Sequence, residues 1–398
     1  MSPPGPRILY VTPYWPQIPG SASESRAAHI GRALQQIGDV DVLLVDAECR
    51  NDDAQSTTEA RILNWLPVQP APPKGLLAKL QWAFNPRSML PHGPGVDKDW
   101  TERVVQTAEQ YDLVWFFKLR TANMFPHVAW RRSVLDIDNL PSTYERSLRG
   151  WKRPASDQLK GVIRAFSWTR RERLLDERFT LLVTCSETDA QYLGTLGVRS
   201  RVHVIPNGFD RPSSVPVRTP ANPPRIGFIG VFDYEPNVEG IRWFVTHCWS
   251  RIKREIPDAR LRLVGRHNDE GLKPLGTDID ALGWLPDPAP EMMTWTAMIV
   301  PILAGSGTRG KIAHGFAIKC PIVATPIGAY GYGAVDGREI FLADSPERFA
   351  SACITAIRQP QVAEDMAERA WEMFNEKWSW DAIQQRIVAV AEDCLRRR

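Results

Sequence analysis

The stretch Met298-Ile-Val-Pro-Ile-Leu-Ala-Gly-Ser-Gly-Thr-Arg-Gly-Lys311 combines an apolar run, a glycine-rich turn and two cations. The apolar run predicts a strand buried on both faces, and the turn predicts entry into a helix. Glycines let the backbone approach a phosphate closely, and the first N–H groups of a helix lack partners within it. Together with the charges of Arg309 and Lys311, these groups predict an anion site on Gly305, Ser306, Gly307 and Thr308. A glycine-rich turn without a ligand is the alternative.

The spacing Gly305-x-Gly307-x-x-Gly310 also fits the dinucleotide fingerprint. That fingerprint follows the first strand of its domain and is followed, about 20 residues later, by an acid that holds ribose hydroxyls. Residues 324–329 contain no acidic residue, and the motif follows the fourth strand predicted for its domain. We therefore reject a nicotinamide dinucleotide and expect the phosphates of another nucleotide.

Short apolar segments recur along the whole chain and alternate with longer amphipathic ones, which is typical of β-α units and a parallel sheet. The first half predicts strands at 7–14, 40–46, 112–117, 133–137, 181–185 and 202–205. The second half predicts strands at 225–231, 261–264, 281–285, 298–303, 322–325 and 340–342. Between the two series, proline-rich residues 209–224 predict a linker. The pattern predicts an α/β protein with two doubly wound domains, and a ligand cleft at the carboxyl ends of their strands.

The bulk composition excludes several classes of protein. A chain of 398 residues exceeds one ordinary core, and a net charge of +3 is too balanced to indicate nucleic-acid binding. Six scattered cysteines lack metal-binding spacing and are typical of buried thiols in a reducing cytosol. No cluster of acidic residues suggests a metal site either, and we expect neither a metal nor a cofactor. The N-terminus does not resemble a signal peptide, and no apolar run is long enough to span a bilayer. The composition thus predicts a cytoplasmic protein.

Two segments interrupt the alternation of strands and helices. Leu63–Val96 is rich in prolines and carries large apolar residues such as Trp82 and Phe84, which predicts either a binding insertion or a flap packed on its own domain. Gln158–Arg178 predicts a basic amphipathic helix, for which a solvated helical face is the alternative.

The segment Gly305–Asp344, GSGTRGKIAHGFAIKCPIVATPIGAYGYGAVDGREIFLAD, resembles the donor-binding segment of family 4 retaining glycosyltransferases, group 1 enzymes of the GT-B fold. Four shorter segments resemble the domain junction, second-domain opening, base-side loop and closing helix of that family: 204–210, 225–240, 282–287 and 378–381. The resemblance covers the second half of the chain well and the first half in outline.

The resemblance implies a GT-B architecture, in which two Rossmann-like domains face each other across a cleft. We expect an N-terminal acceptor-side domain over residues 1–208, the linker over 209–224 and a nucleotide-sugar-binding domain over 225–375. The closing helix, residues 376–398, is predicted to cross back to the first domain.

The same resemblance implies the donor site. Arg309 and Lys311 are expected to hold the diphosphate and act in catalysis, assisted by backbone at Gly230 and at Gly307-Thr308. Trp284 and Leu285 are expected beside the nucleobase. Many relatives carry two glutamates with seven residues between them, the second on the ribose; this chain has Ser306 and His314 there. An imidazole at position 314 can bond a ribose hydroxyl, and simple packing is the alternative.

In the first domain, Gly20 and Ser21 lie in a loop that resembles the one approaching the reacting sugar. Asp138 occupies the place where many relatives carry a histidine near the anomeric carbon. We expect Asp138 as a catalytic group and Asp136 on the acceptor side; capping of the following segment is the alternative for both.

These expectations predict a retaining hexosyltransferase that moves a sugar from a nucleotide-diphosphate donor to an acceptor hydroxyl, in polysaccharide or glycoconjugate synthesis. The acceptor is expected to be a sugar, a lipid-linked molecule or a small molecule, with peripheral membrane contact at the inner face. A nucleotide-sugar epimerase or hydrolase on the same fold, and a non-catalytic scaffold, are the competing interpretations.

Overall fold

The computed structural model describes two compact units, which are treated separately below. Unit 1 comprises Met1–Pro206 with Ile383–Arg398, and unit 2 comprises Asn207–Ala382. Described residues are 5–16, 18, 22–45, 61–66, 75–88, 98–148, 155–266, 276–305 and 308–397.

The division into units assigns two segments of the predicted domain scheme, residues 209–224 and 376–398. Residues 209–224, predicted as a linker, belong to unit 2, where the N–H groups of Thr219 and Ala221 donate to carbonyls of Met293 and Thr294 at 3.3 and 2.9 Å. Prolines exclude regular structure from this segment, but its remaining N–H groups still find partners. The segment 376–398 is divided, and its part from Ile383 belongs to unit 1.

Unit 1 contains a seven-stranded parallel sheet of order β3-β2-β1-β4-β5-β6-β7. Its strands are β1 Arg7–Thr12, β2 Asp39–Val45, β3 Arg61–Leu66, β4 Leu113–Phe117, β5 Ser133–Asp136, β6 Leu181–Thr184 and β7 Arg201–Val204. Its helices include α1 Ala22–Gln35, α2 Leu76–Phe84, α3 Lys98–Ala108, α4 Leu119–Ala122, α5 Pro141–Ser147, α6 Ala155–Glu172 and α7 Glu187–Thr195.

The core of unit 1 follows from strands that are apolar on both faces. All five residues of β4 are buried. Phe116 of this strand packs on Trp130 and Phe179, with ring centroids 4.8 and 5.6 Å apart. Continuous apolar runs of this kind are stable only when helices cover both faces of a parallel sheet.

The insertion at Leu63–Val96 packs on its own unit where it is described. Trp82 of α2 is 7% exposed and lies edge-on to Trp168 of α6, with centroids 6.1 Å apart. The buried Arg171 donates to the carbonyls of Trp82 and Asn85 at 2.9 and 3.0 Å. These bonds satisfy the end of α2, so α2 and α6 form one packed pair.

Unit 2 contains a six-stranded parallel sheet of order β10-β9-β8-β11-β12-β13. Its strands are β8 Arg225–Ile229, β9 Arg260–Val264, β10 Ile279–Gly283, β11 Ala297–Val300, β12 Ile322–Ala324 and β13 Phe341–Leu342. Its helices are α8 Glu235–Phe244, α9 Ser250–Glu255, α10 Ala289–Met292, α11 Gly310–Ala317, α12 Pro346–Arg358 and α13 Pro360–Met373; α14, Trp380–Arg396, begins in unit 2 and continues in unit 1.

In each sheet the first strand of the unit lies in the middle, and later strands are added on both sides of it. Strand β1 pairs with β2 on one side and β4 on the other, and β8 likewise pairs with β9 and β11. In doubly wound sheets, ligands bind outside the carboxyl ends of the strands at this switch point. Across the described residues, none of the helices has the length and apolar character needed to cross a bilayer.

Candidate functional site

The glycine-rich stretch lies at the switch point of unit 2. Strand β11 ends at Val300, and α11 begins at Gly310 with Arg309 as its N-cap residue. Gly305 has a φ of 135°, and a Cβ added there would lie 2.5 Å from Nη2 of Arg309. The position therefore requires glycine, and the N-terminus of α11 points its first N–H groups at this edge. Ser306 and Gly307 lie outside the described residues.

Lys311 brings its ammonium group to the end of β8. Its Nζ donates to Oδ1 of Asn237 at 2.9 Å and lies 3.9 Å from the ring centroid of Phe228. Part of the residue stays exposed, but the ammonium itself is enclosed; burial, and secondly the charge of Arg309, hold the pKa of Lys311 well below its usual value. Among the described residues no carboxylate lies within ion-pair distance of this lysine, so its charge is uncompensated.

Gly230 provides the space for this contact. A Cβ on Gly230 would lie 2.8 Å from Nδ2 of Asn237 and 2.8 Å from Nζ of Lys311. Asn237, in α8, also donates from Nδ2 to the carbonyl of Val231 at 2.7 Å, so its amide is fixed in one orientation. Any side chain at position 230 would displace the lysine from the strand end.

Arg309 and Thr308 are both largely buried. The carbonyl of Arg309 accepts from the Tyr332 hydroxyl at 2.8 Å, and Oγ1 of Thr308 accepts from the N–H of Asn207 at 3.4 Å. These contacts hold the turn before α11 from both sides. Two neighbouring cations then lie at a helix N-terminus, where the helix dipole already favours an anion.

His314 lies one turn beyond Gly310 in α11 and stacks on Phe209, with ring centroids 4.1 Å apart and planes 15° from parallel. Burial lowers the pKa of His314 to about 4, against the smaller opposing effect of Asp287. The imidazole is therefore neutral near pH 7, with one nitrogen able to donate and the other to accept. Packing and a ribose contact are both compatible with this geometry, so the ribose role stays a prediction.

The loop after β10 carries the residues predicted to lie by the nucleobase. Trp284 is 57% exposed, with the guanidinium of Arg266 5.5 Å from its ring centroid. Leu285 is half-buried and packs on the core of unit 2. An exposed indole with a cation on one side provides a face on which an aromatic ring can stack.

Unit 1 gathers a second polar cluster at its own switch point. Nζ of Lys118, directly after β4, donates to the Tyr14 hydroxyl at 3.1 Å and to Oγ of Ser23 at 3.0 Å. It lies 3.4 Å from a carboxylate oxygen of Asp138, which follows β5. Burial opposes the lysine charge, but Asp138 and Tyr14 outweigh it and raise the pKa of Lys118.

The backbone of this cluster is strained. Lys118 and Asp138 have φ values of 73° and 61°, a region that side-chain-bearing residues seldom adopt. Asp138 also accepts from the thiol of Cys185 at 3.1 Å. Strain at two facing strand ends is typical of functional sites. Gly20 and Ser21, predicted on this side, lie outside the described residues.

Asp136 has a different position from the one predicted. It is fully buried, and both carboxylate oxygens accept from Arg26 of α1, at 2.8 and 3.0 Å. Burial raises the pKa of Asp136 to about 6, against the opposing effect of Arg26. With no surface open to a ligand, Asp136 joins α1 to β5 in place of the predicted acceptor contact.

Sequence reasoning missed Asn237 and Lys118. Asn237 lies in the segment 225–240 that resembles the family, yet an asparagine in an amphipathic helix gives no signal without its lysine partner. Lys118 directly follows five apolar residues of β4, and a polar residue at the carboxyl end of a buried strand is the signal that was available.

The fold and the site define a class: a two-domain protein of Rossmann-like α/β units, with neighbouring cations, Arg309 and Lys311, at the switch point of unit 2. A family model described as "Glycosyl transferases group 1" matches residues 223–359, and one described as "Glycosyl transferase 4-like domain" matches residues 21–208. Together they span most of the chain, which belongs to the group 1 glycosyltransferases and has the GT-B fold. No curated protein sequence matches it significantly.

Solved structures agree in fold. Sucrose-phosphate synthase from Thermosynechococcus elongatus is 14% identical with a TM-score of 0.71, over 97% of this chain and 98% of its own. Anabaena HepE in complex with UDP-glucose is 17% identical with a TM-score of 0.65, over 98% and 100%. A glycosyltransferase from Rickettsia africae is 12% identical with a TM-score of 0.66, over 99% and 100%.

Proposed function

We propose that the protein transfers a hexose from a nucleotide-diphosphate donor to an acceptor hydroxyl. The observation that carries this proposal is the uncompensated ammonium of Lys311, held by Asn237 beside Gly230 at the N-terminus of α11. A buried cation without an acidic partner is costly unless an anion binds there. A diphosphate supplies that anion, and HepE was solved with UDP-glucose.

Arg309 and Lys311 then act in catalysis as well as in binding. As the bond between the sugar and the diphosphate breaks, negative charge grows on the leaving phosphate oxygen. Each cation contributes about 4 kcal/mol of Coulomb attraction at 4 Å in partly screened surroundings, before desolvation is counted. Groups that bind this growing charge more strongly than the ground state accelerate the reaction.

We propose that transfer proceeds with retention at the anomeric carbon. The acceptor oxygen would form its bond on the face from which the diphosphate departs, and its proton would pass to a departing phosphate oxygen. This route needs no protein nucleophile. Proton NMR of the first product formed checks it: an anomeric configuration opposite to that of the donor would contradict retention.

The proposed reaction needs no divalent cation or other cofactor, because Arg309 and Lys311 would supply the positive charge that balances the diphosphate. Transfer should continue at an unchanged rate in excess EDTA. A rate that collapses in EDTA and returns with Mg²⁺ or Mn²⁺ would contradict this.

The natural acceptor is proposed to belong to polysaccharide or glycoconjugate synthesis, at the inner face of a membrane. The resemblance to group 1 enzymes and the apolar helices α2 and α6 support this setting. Asp138, with Lys118 beside it, is proposed to orient the acceptor or balance the positive charge of the reacting sugar.

A thermal-shift screen against UDP-, GDP-, dTDP- and ADP-sugars tests the donor site. We expect one nucleotide class to raise the melting temperature, and Arg309→Ala to remove the shift. Lys319→Met is the matched control: Lys319 lies two residues beyond the other end of α11 and pairs with Glu368 at 2.7 Å. Release of nucleotide without an acceptor would instead indicate a hydrolase, and no binding at all would indicate a scaffold.

A further inference from the structure

Helix α6 exposes an apolar stripe to solvent. Leu159, Val162, Ile163 and Phe166 are 62%, 43%, 43% and 50% exposed, and their spacing places them on one side of the helix. The opposite side, with Ala165 and Trp168, is buried in unit 1. A helix packed on a domain ordinarily turns its apolar side inward. Helix α6 has apolar residues on both sides, and only one of the two is covered.

Helix α2 adds to the same kind of surface. Leu80 and Phe84, one turn apart, are 46% and 63% exposed. The two helices pack together through Trp82 and Trp168, and Oγ of Ser167 donates to the carbonyl of Ala83 at 3.4 Å. The term apolar helical face is used below for the exposed apolar residues of this packed helix pair: Leu159, Val162, Ile163 and Phe166 of α6, and Leu80 and Phe84 of α2. Grouped exposed apolar residues mark an interaction surface.

Cations extend this face. Arg170 continues the line of Phe166 along α6, with its guanidinium 5.7 Å from the Phe166 ring centroid, and Arg173 directly follows the last residue of the helix. Within the described part of the chain, neither arginine has a carboxylate at ion-pair distance. The two acids of α6 lie off the stripe: Asp157 pairs with Lys160 at 2.9 Å, and Glu172 is buried.

We propose that the apolar helical face docks unit 1 on an anionic lipid bilayer. Apolar side chains along a helix can enter the boundary between headgroups and acyl chains, while adjacent arginines bind lipid phosphates. The pattern of the face is complementary to that boundary: an apolar centre, cations continuing it, and no acid on the stripe to be repelled by anionic lipid.

A second copy of this chain is a poorer occupant. An isologous dimer through this face would pair the same surface with itself. Arg170 and Arg173 of both copies would then lie in one interface, where like charges oppose association. An anionic bilayer meets the same arginines with opposite charge.

The inference concerns α2 and α6 and does not rest on the nucleotide site, although it supplies a mechanism for the membrane contact proposed above. A docked unit 1 would remain at the surface where a lipid-linked acceptor resides. Because part of the binding is electrostatic, it should weaken as ionic strength rises.

Co-sedimentation with vesicles tests the proposal. The full chain is expected to bind vesicles of phosphatidylcholine with phosphatidylglycerol more strongly than vesicles of phosphatidylcholine alone. Removing both charges in Arg170→Gln/Arg173→Gln should lower the partition coefficient about 25-fold, at about fivefold for each arginine near an anionic surface. Leu159→Ser/Phe166→Ser should lower it at least as much, because it removes apolar side chains from the centre of the face.

Val215→Ser/Val217→Ser is the matched control. These valines belong to unit 2 and are 62% and 80% exposed. Replacing them removes exposed apolar surface that is not part of the apolar helical face. Binding that is equal for all variants, or absent for the unaltered chain, would overturn the proposal. A dimer in light scattering that dissociates in Leu159→Ser/Phe166→Ser would overturn it in favour of a self-interface. Thermal shifts with nucleotide sugars, retained in every variant, separate this result from failure of the donor site.

Discussion

At the scale of single residues, Lys311 links stability to function. Its ammonium is enclosed beside Phe228 and Asn237 without a carboxylate partner among the described residues, so the protein itself leaves this charge uncompensated. Natural proteins tolerate such destabilisation mainly where function needs it. The lysine should therefore lower the free energy of unfolding of the protein without nucleotide and raise its affinity for nucleotide.

Replacing this lysine tests both effects. Lys311→Met should raise the melting temperature of the empty protein, because it removes a buried charge. It should also weaken nucleotide binding about thirtyfold, the loss of about 2 kcal/mol for a charge-assisted hydrogen bond. Calorimetric melting and titration measure the two quantities, with Lys319→Met as control. A variant that is destabilised and still binds normally would contradict this assignment.

The same lysine predicts a pH dependence of stability. The unfolded chain holds the Lys311 proton up to its ordinary pKa near 10.4, whereas the folded chain releases it at a lower pKa. The unfolded state therefore binds more protons between those two values. The free energy of unfolding should rise with pH across that window, and Lys311→Met should remove this contribution. Urea unfolding at several alkaline pH values measures the difference between the two proteins.

His314 allows the ribose contact to be separated from packing. His314→Phe can keep the stack on Phe209 while removing both ring nitrogens. If the imidazole bonds a ribose hydroxyl, the unaltered protein should bind the ribonucleotide several-fold more tightly than its 2′-deoxy or 3′-deoxy analogue. The variant should lose that preference and keep its affinity for the deoxy nucleotide. Equal preferences in both proteins would leave His314 with packing alone.

At the scale of elements, the β-α alternation predicted most of the fold because parallel strands buried on both faces are continuous apolar runs. Strand β4 is such a run, and all of it is buried. Strand β10 begins at Ile279, two residues before the predicted start. It includes the charged Asp280, which interrupts the apolar run and is paired with Arg262 at 3.0 Å. Strand β3, which lies at a sheet edge and overlaps the start of the predicted insertion at Leu63, was not predicted.

For the candidate site, the sequence located the glycine-rich turn and its cations between a buried strand and a helix, while their binding role stays a prediction. The position of Asp136 was not predictable, because its partner Arg26 is 110 residues away in the sequence. Left-handed backbone at Lys118 and Asp138 has no sequence signal either, since neither residue is a glycine. Long-range pairing and local strain are properties of the folded chain, and a motif does not encode them.

The polar cluster at the carboxyl ends of β4 and β5, with Lys118 and Asp138, gives a prediction for unit 1. Lys118→Met should raise the KM for the acceptor or lower kcat by about tenfold, the size expected when one positioned polar group is lost. The dissociation constant of the donor nucleotide should stay within about twofold. Arg132→Met is the control. Arg132 also has a positive φ, 48°, but it precedes β5 and so lies at the amino-terminal ends of the strands. Equal effects of the two substitutions would indicate a structural role for Lys118.

At the scale of the whole molecule, both sheets have their first strand in the middle, and each places polar groups at the resulting switch point. The two switch points differ in charge: in unit 2 the ammonium of Lys311 has a neutral amide partner, whereas in unit 1 Lys118 is paired with Asp138. An uncompensated cation attracts a diphosphate, while a compensated pair suits neutral hydroxyls.

Hydrogen exchange should show that the nucleotide binds to unit 2. The nucleotide that gives the largest thermal shift should slow exchange in residues 230–240 and 308–317, where helix N-termini and strand ends meet the phosphates. Lys311→Met should lose that protection under the same conditions. Protection that appeared only around Tyr14 and Lys118 would place the nucleotide in unit 1 and overturn the assignment.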